Sequence, residues 1–323
     1  MIKTYKLPFA VFIFIVILLS FMQIKMAHPI LLAERFIKGG GWLEILLIAS
    51  YGAFVAIKMQ DKQQLPKWRK LIWTIFSIAF FSQLIIGLLG ADMFLMTGKL
   101  HFPIPMMILA GPIYREQLSV MPILLMSTIL LTGPAWCSQL CYFGAFDALS
   151  SGGKTRKGLI KYKTPIKTTL LVVVILSTVI LRWLKVPILT ASLAAITFGI
   201  IGILVMLWFS IKKGKMVHCI MYCPIGTIVN LTKYINPFRM YIDNSCDLCM
   251  RCTSHCKYDA LNIRDIHNKE PGFGCTLCGD CLSACKGNSI KYKFLNLKPE
   301  QARNLYLFFT ITLHACFLAV ARI

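Results

Sequence analysis

Residues 246–285 read CDLCMRCTSHC (Cys246 to Cys256), eighteen further residues, and CTLCGDCLSAC (Cys275 to Cys285), which is C-x2-C-x2-C-x3-C written twice. Thiolates at this spacing, on a tight loop running into a helical turn, hold three corners of an iron–sulfur cubane while the fourth cysteine reaches the other cubane. One [4Fe-4S] cluster then takes Cys246, Cys249, Cys252 and Cys285, and the other takes Cys275, Cys278, Cys281 and Cys256. Zinc ribbons also use C-x2-C pairs. They separate the two pairs of a site by a longer knuckle, whereas here four thiols crowd into eleven residues, twice.

The stretch resembles a bacterial-type two-cluster ferredoxin domain. The proline that usually follows the fourth cysteine is replaced by Lys257 and Lys286. All eight ligands survive that departure, and the two lysines add positive charge beside each cluster, which favours the reduced state.

Outside this segment the 323-residue chain is strongly apolar, at 57% hydrophobic, and carries 35 basic against 13 acidic residues for a formal charge of +22. A basic excess of that size can indicate nucleic acid, but here the lysines and arginines sit between long apolar runs, the pattern of a membrane protein. Nucleic acid is therefore not an expected partner; the lipid bilayer is. Of thirteen cysteines, eight have ferredoxin spacing, four form two C-x3-C pairs and only Cys316 is left over. That usage points to metal in a reducing compartment rather than to disulfides.

A helix needs roughly 20 apolar residues to cross a bilayer. Runs of this kind lie at 7–24, 42–57, 71–89, 118–131, 166–186 and 188–211, with a seventh at 305–323 that contains His314. The first lacks a small-residue cleavage site, so it reads as an uncleaved span rather than a signal peptide. The fourth is short, and is expected to be extended or broken at Pro122. With the amino terminus inside, every strongly basic connection falls on one side: Lys58 to Lys70, Lys154 to Lys167 and Lys212 to Lys215. The expected fold is an α-helical integral membrane protein of six or seven transmembrane helices with a small α+β two-cluster ferredoxin-like domain. Residues 1–215 form the membrane core with the first cysteine pair, 216–240 the second C-x3-C-P element and linker, 241–295 the ferredoxin domain and 303–323 the last helix. The location is the inner or cytoplasmic membrane, multi-pass, with the ferredoxin domain cytoplasmic.

The two pairs are Cys137 and Cys141 in PAWCSQLCYFGAFD and Cys219 and Cys223 in VHCIMYCPIGT. If each pair is helical, residues i and i+4 share a face and make a two-thiol clamp. Two clamps at neighbouring span ends can converge on one four-thiolate site for an iron–sulfur cluster or another soft metal. Small buried cysteines of no such role are the plainer reading. His218, beside Cys219, reads as an interfacial histidine, against a role in tuning or ligating that site. On the opposite side, His28, Glu34, Arg35 and the segment from His101 to Glu116 read as solvated groups and a re-entrant or surface-packing loop, against a docking surface or quinone pocket. His314 stands out, since ionisable groups inside a span are costly.

These elements together make the chain similar to the NapH/NosR-type membrane polyferredoxins. The second pair matches through Cys219, Cys223, Pro224 and Gly226; the first keeps Trp136, Cys137, Cys141, Phe143 and Gly144 but has Tyr142 in place of proline, so a different local turn is expected there. The resemblance implies a subunit passing single electrons between a quinone pool or cytoplasmic donor and a partner oxidoreductase of a respiratory chain, rather than a stand-alone enzyme. Other redox subunits and a quinone are the implied partners. No haem C-x-x-C-H motif and no covalent flavin sequence occurs. CcoG-like relatives suggest the alternative of copper handling by the two C-x3-C pairs during assembly of a respiratory enzyme.

Overall fold

The computed structural model describes residues 5–26, 29–91, 94, 104–117, 120–152 and 158–320. His28 and His101 lie outside these residues. In chain order the helices are α1 (Lys6–Lys25), α2 (Leu32–Phe36), α3 (Gly40–Gln60), α4 (Leu65–Leu88), α5 (Pro105–Arg115), α6 (Val120–Thr132), α7 (Tyr142–Ser150), α8 (Lys163–Trp183), α9 (Ile188–Val205), α10 (Ile211–Lys213) and α11 (Ile225–Leu231). Strand β1 (Phe238–Ile242) and helices α12 (Arg251–His255), α13 (Ile263–His267) and α14 (Asp280–Ala284) follow, then β2 (Ile290–Phe294) and α15 (Pro299–Val320).

Among the described residues seven helices are long and apolar enough to cross a membrane: α1, α3, α4, residues 122–140, α8, residues 188–213 and α15. The fourth is not broken at Pro122. It is extended instead: α6 starts at Val120, with Pro122 in its first turn, and runs on through a 3-10 turn at Gly133–Ala135 and a π turn at Trp136–Leu140. Gly133 adopts φ +61°, and a Cβ there would collide with Asn236, whose amide donates to Leu130 O at 2.6 Å.

The chain divides into two compact units, residues 1–101 with 296–323, and residues 102–295. In the first, α1 presents Val11, Ile15 and Leu19 at helical spacing to a buried face, and α3 approaches closely because Gly52 has no Cβ to meet Ile15. Glu34 accepts hydrogen bonds from Gly39 and Gly41 N–H at 3.0 Å, filling donors that the start of α3 leaves open. Glu34 is thus used as a cap. At the other end of α3, Arg303 donates to the carbonyls of Met59 and Gln60 at 2.8 and 2.9 Å. His314, buried in α15, meets the Tyr51 hydroxyl at 3.0 Å and stacks near Phe76, so its unusual position is matched by a local partner.

In the second unit β1 and β2 pair antiparallel, from Phe238 opposite Phe294 to Ile242 opposite Ile290. Alternate residues of β1 are buried, as a half-covered sheet requires. The Cys-rich loops and short helices between the strands are held to the helical part by the segment Lys257–Asp259. Lys257 Nζ donates to Ala148 O at 2.9 Å, near the carbonyl end of α7, where a cation is favoured. Its charge, expected beside a cluster, is engaged there. Asp259, 3% exposed, pairs with Lys163 at 3.1 Å and with the buried Lys215, and accepts from Ile160 N–H at 3.0 Å. Breaking a buried pair by removing one partner costs about 3–5 kcal/mol. Asp259→Ala should lower the thermal midpoint of the detergent-solubilised protein accordingly; an unchanged midpoint would show that this network does not hold the Cys-rich segment in place.

Candidate iron–sulfur centres

The Cys-rich repeat folds as two copies of one backbone path. Cys246, Cys249, Cys252 and Cys256 recur as Cys275, Cys278, Cys281 and Cys285, and each C-x-x-C loop has left-handed residues at the same places: Leu248 and Met250 in the first, Leu277 and Gly279 in the second. Left-handed residues alternating with right-handed ones turn successive N–H groups to one side, forming the concave nests that bind anions and iron–sulfur groups. Each fourth cysteine accepts from the backbone at the same offset, Ala260 N–H to Cys256 Sγ and Ser289 N–H to Cys285 Sγ, both 3.2 Å.

Electrostatic neighbours sort these eight thiols into two sets. Cys252 feels Cys285, Cys246 and Cys249; Cys281 feels Cys278, Cys275 and Cys256. Burial, then these neighbours, pushes the Cys252 thiol up to about 11. Burial likewise takes Cys256 to about 11, against the hydrogen bond from Ala260. Thiols in this state become thiolates on meeting a cation that repays both costs, and metal binding then releases their protons. All thirteen cysteines are free thiols. Thiol donors, inward N–H groups and grouping in fours all fit a [4Fe-4S] cluster in each set.

The two C-x3-C pairs are also copies of one local structure, but not the helical clamp expected from i, i+4 spacing. Each sits on a π turn, Trp136–Leu140 and His218–Tyr222. Cys141 N–H donates to Trp136 O at 3.0 Å and Cys223 N–H to His218 O at 2.9 Å. Both second cysteines then turn extended, with φ, ψ of −77°, 113° and −73°, 113°. The expected difference comes just after the cysteines: α7 begins at Tyr142, directly after Cys141, whereas α11 begins at Ile225, one residue past Pro224. Extra turns of this kind are frequent at functional sites. Phe143 and Gly144 N–H face Cys141 just as Ile225 and Gly226 N–H face Cys223.

All four thiols, Cys137, Cys141, Cys219 and Cys223, line one largely apolar cavity with Trp136, Phe143 and His218. Its wall is tied by Leu125, Ile129, Ile225 and Val229, which pack α6 on α11. Two charged groups that sequence reasoning missed border it. Lys167, 7% exposed, lies where a Cβ on Gly226 would overlap its ammonium. Asp147, fully buried, accepts from Cys219 N–H at 2.9 Å, and its carboxylate, the His218 ring and the Cys219 thiol bring ligand atoms within 4.8 Å of one another. His218 Nδ1 and Asp147 Oδ1 have no hydrogen-bond partner among the described residues. The signal for Asp147 was an acid within an apolar run; Lys167 resembled any span-flanking lysine.

The cavity lies at the end of the fourth long helix, whose last turn carries Cys137, but alongside the middle of residues 188–213: His218 and Tyr222 lie over Gly202, and Ile104 lies over Gly199, about 16 Å along the axis from Ile188. Tyr222 donates to Phe198 O at 2.8 Å. Within the segment from His101 to Glu116, expected as a loop, Pro105–Arg115 form α5, which lies along α8 and brings Pro105 and Ile108 to the cavity. Its far end is fastened by Tyr114 to Val186 O and by Glu116 to Arg182 at 2.8 Å.

A family model described as a 4Fe-4S binding domain matches residues 118–160 and again residues 195–237. No curated protein and no solved structure matches the chain. The two matched segments are the ones that carry Cys137 with Cys141 and Cys219 with Cys223, so 4Fe-4S binding is supported in the very segments whose thiols share one cavity.

Proposed function

We propose that the protein is a membrane-embedded iron–sulfur electron carrier with three [4Fe-4S] sites. Two are held by the Cys246/Cys249/Cys252/Cys285 and Cys275/Cys278/Cys281/Cys256 sets, and the third by Cys137, Cys141, Cys219 and Cys223. The observation that carries this reading is the convergence of four thiols, from two structurally identical π turns, on one cavity within the segments that match a 4Fe-4S binding domain. Such clusters take up and release single electrons with the charge spread over several metals. The protein's part is to supply thiolates, point N–H groups at them, exclude water and balance charge. Lys167 and Lys233 serve the last purpose: both interact electrostatically with Cys137, and Lys167 also with Cys223.

The seven apolar helices are the spans. The Lys163 end of α8 faces the cytoplasm with the Cys-rich domain, and the Arg182 end faces outward, where a quinone or a partner oxidoreductase exchanges electrons with the four-thiol site. The copper-handling alternative has one observation in its favour, the Asp147, His218 and Cys219 cluster, whose mixed ligands suit a single ion better than a cubane.

Anaerobic iron and acid-labile sulfide analysis tests the first reading. The parent should hold about twelve irons, four for each site, and a Cys219→Ser, Cys223→Ser double variant about eight; equal iron in both would remove the third cluster. Copper bound stoichiometrically by an eight-iron parent, and lost on Asp147→Asn, would favour the alternative instead. Lys167→Met should lower the midpoint potential of the site lost in the double variant, because a neighbouring positive charge favours the added electron. Redox-titrated EPR reads that shift, and no shift would mean that the ammonium does not act on the site. For orientation, Lys185→Cys should react with an impermeant maleimide in intact cells and Lys161→Cys only after permeabilisation; the opposite pattern would invert the topology.

A further inference from the structure

We infer that the Cys256/Cys275/Cys278/Cys281 set, and not the Cys246/Cys249/Cys252/Cys285 set, is the immediate electron partner of the four-thiol site, coupled to it through Ser138 and Tyr258. This rests on the reading that the four-thiol site holds a cluster.

Two hydrogen bonds join the ligand sets almost directly. Ser138, fully buried and next in sequence to Cys137, donates to Thr276 O at 3.0 Å, and Thr276 is next to Cys275. Tyr258, two residues beyond Cys256, donates to Cys137 O at 2.8 Å. A path from a cysteine of one site to a cysteine of the other thus crosses a single hydrogen bond, by either route. Lys233 lies on the same line. Its ammonium donates to Phe273 O, two residues before Cys275, and interacts electrostatically with both Cys275 and Cys137. Cys137, Lys167, Tyr258 and Thr276 wall one small cavity between the two sites.

Nothing comparable reaches the other set among the described residues. It faces solvent instead: Cys249 is exposed and its neighbour Leu248 is 44% exposed, whereas Cys281 is buried. A soluble one-electron donor protein therefore meets the Cys249 side, and the order is the Cys249 set, the Cys275 set, then the four-thiol site. In each transfer one site is oxidised by one electron and its neighbour reduced by one. No covalent bond forms or breaks, and the Ser138 and Tyr258 hydroxyl protons stay on their oxygens.

The test uses the full-length protein in detergent, with dithionite as the one-electron donor. EPR power saturation of the signal absent from the Cys219→Ser, Cys223→Ser variant reports a fast-relaxing paramagnetic neighbour. Fast relaxation should persist in Cys249→Ser and be lost in Cys278→Ser; the reverse pattern, or no dependence on either, overturns the order. Because Cys278→Ser can unfold the domain, Ser138→Ala with Tyr258→Phe supplies a second test. Its iron content should equal that of the parent, while rapid-mixing reduction of the four-thiol site slows several-fold and reduction of the other two sites does not. An unchanged rate overturns the coupling role of these hydroxyls. Eight irons in the parent would overturn the three-site reading itself and this inference with it, whereas twelve irons with the wrong neighbour would overturn the order alone.

Discussion

Four thiols drawn into one enclosed, mostly apolar cavity are a problem in electrostatics before they are a site. Ionised, they repel one another where little water can screen them, and burying an unpaired charge is costly. Much of the second unit offsets that cost. The first turns of α7 and α11 aim backbone N–H groups at Cys141 and Cys223, Gly226 makes room for the buried Lys167 ammonium, and Lys233 adds a second, half-buried cation. Asp147 works in the other direction, adding an acid beside Cys219, yet it takes the Cys219 N–H as its partner and so fixes the second pair against α7.

The same constraint explains why the Cys-rich segment is clamped so firmly. Lys257, Tyr258 and Asp259 follow directly on Cys256 and spend three side chains on the helical part: on Ala148 O, on Cys137 O, and on Lys163 with Lys215. The left-handed φ of Asp259 recurs at Asn288 in the second copy. One backbone repeat therefore carries two duties, docking in its first half and contact with the sheet in its second, where Tyr292 donates to Leu277 O at 2.7 Å.

The parts of this arrangement that sequence could reveal are those whose partners lie nearby in the chain. The double C-x2-C-x2-C-x3-C pattern is local, and so is the apolar length of each long helix. The π turns are local too, but the C-x3-C spacing fits an α-turn equally well, which hid them. Contacts between distant residues had no sequence signature: Lys167 over Gly226, Asp147 on Cys219, Tyr51 on His314. The hydrogen bond of Lys257 to Ala148 O is another such contact, invisible until α7 is placed.

The position of the four-thiol cavity decides how far an electron held there would stand from either end of the long helices. Clusters confined to one face would leave a hydrocarbon layer of about 30 Å to be crossed. Here the chain folds back beside α9 on one side, and α5 comes to meet it from the other, eleven residues long and so rising about 16 Å. Irregular backbone at such depth is tolerated only where protein encloses it. The π turns meet that condition, since α5, α8, α9 and α11 pack around them and Tyr222, Thr227 and Ser138 take up backbone carbonyls along the way. The four thiols stand one hydrogen bond from the Cys-rich segment, through Ser138 and Tyr258, while the Glu116–Arg182 contact at the far end of α5 lies at the opposite end of α8.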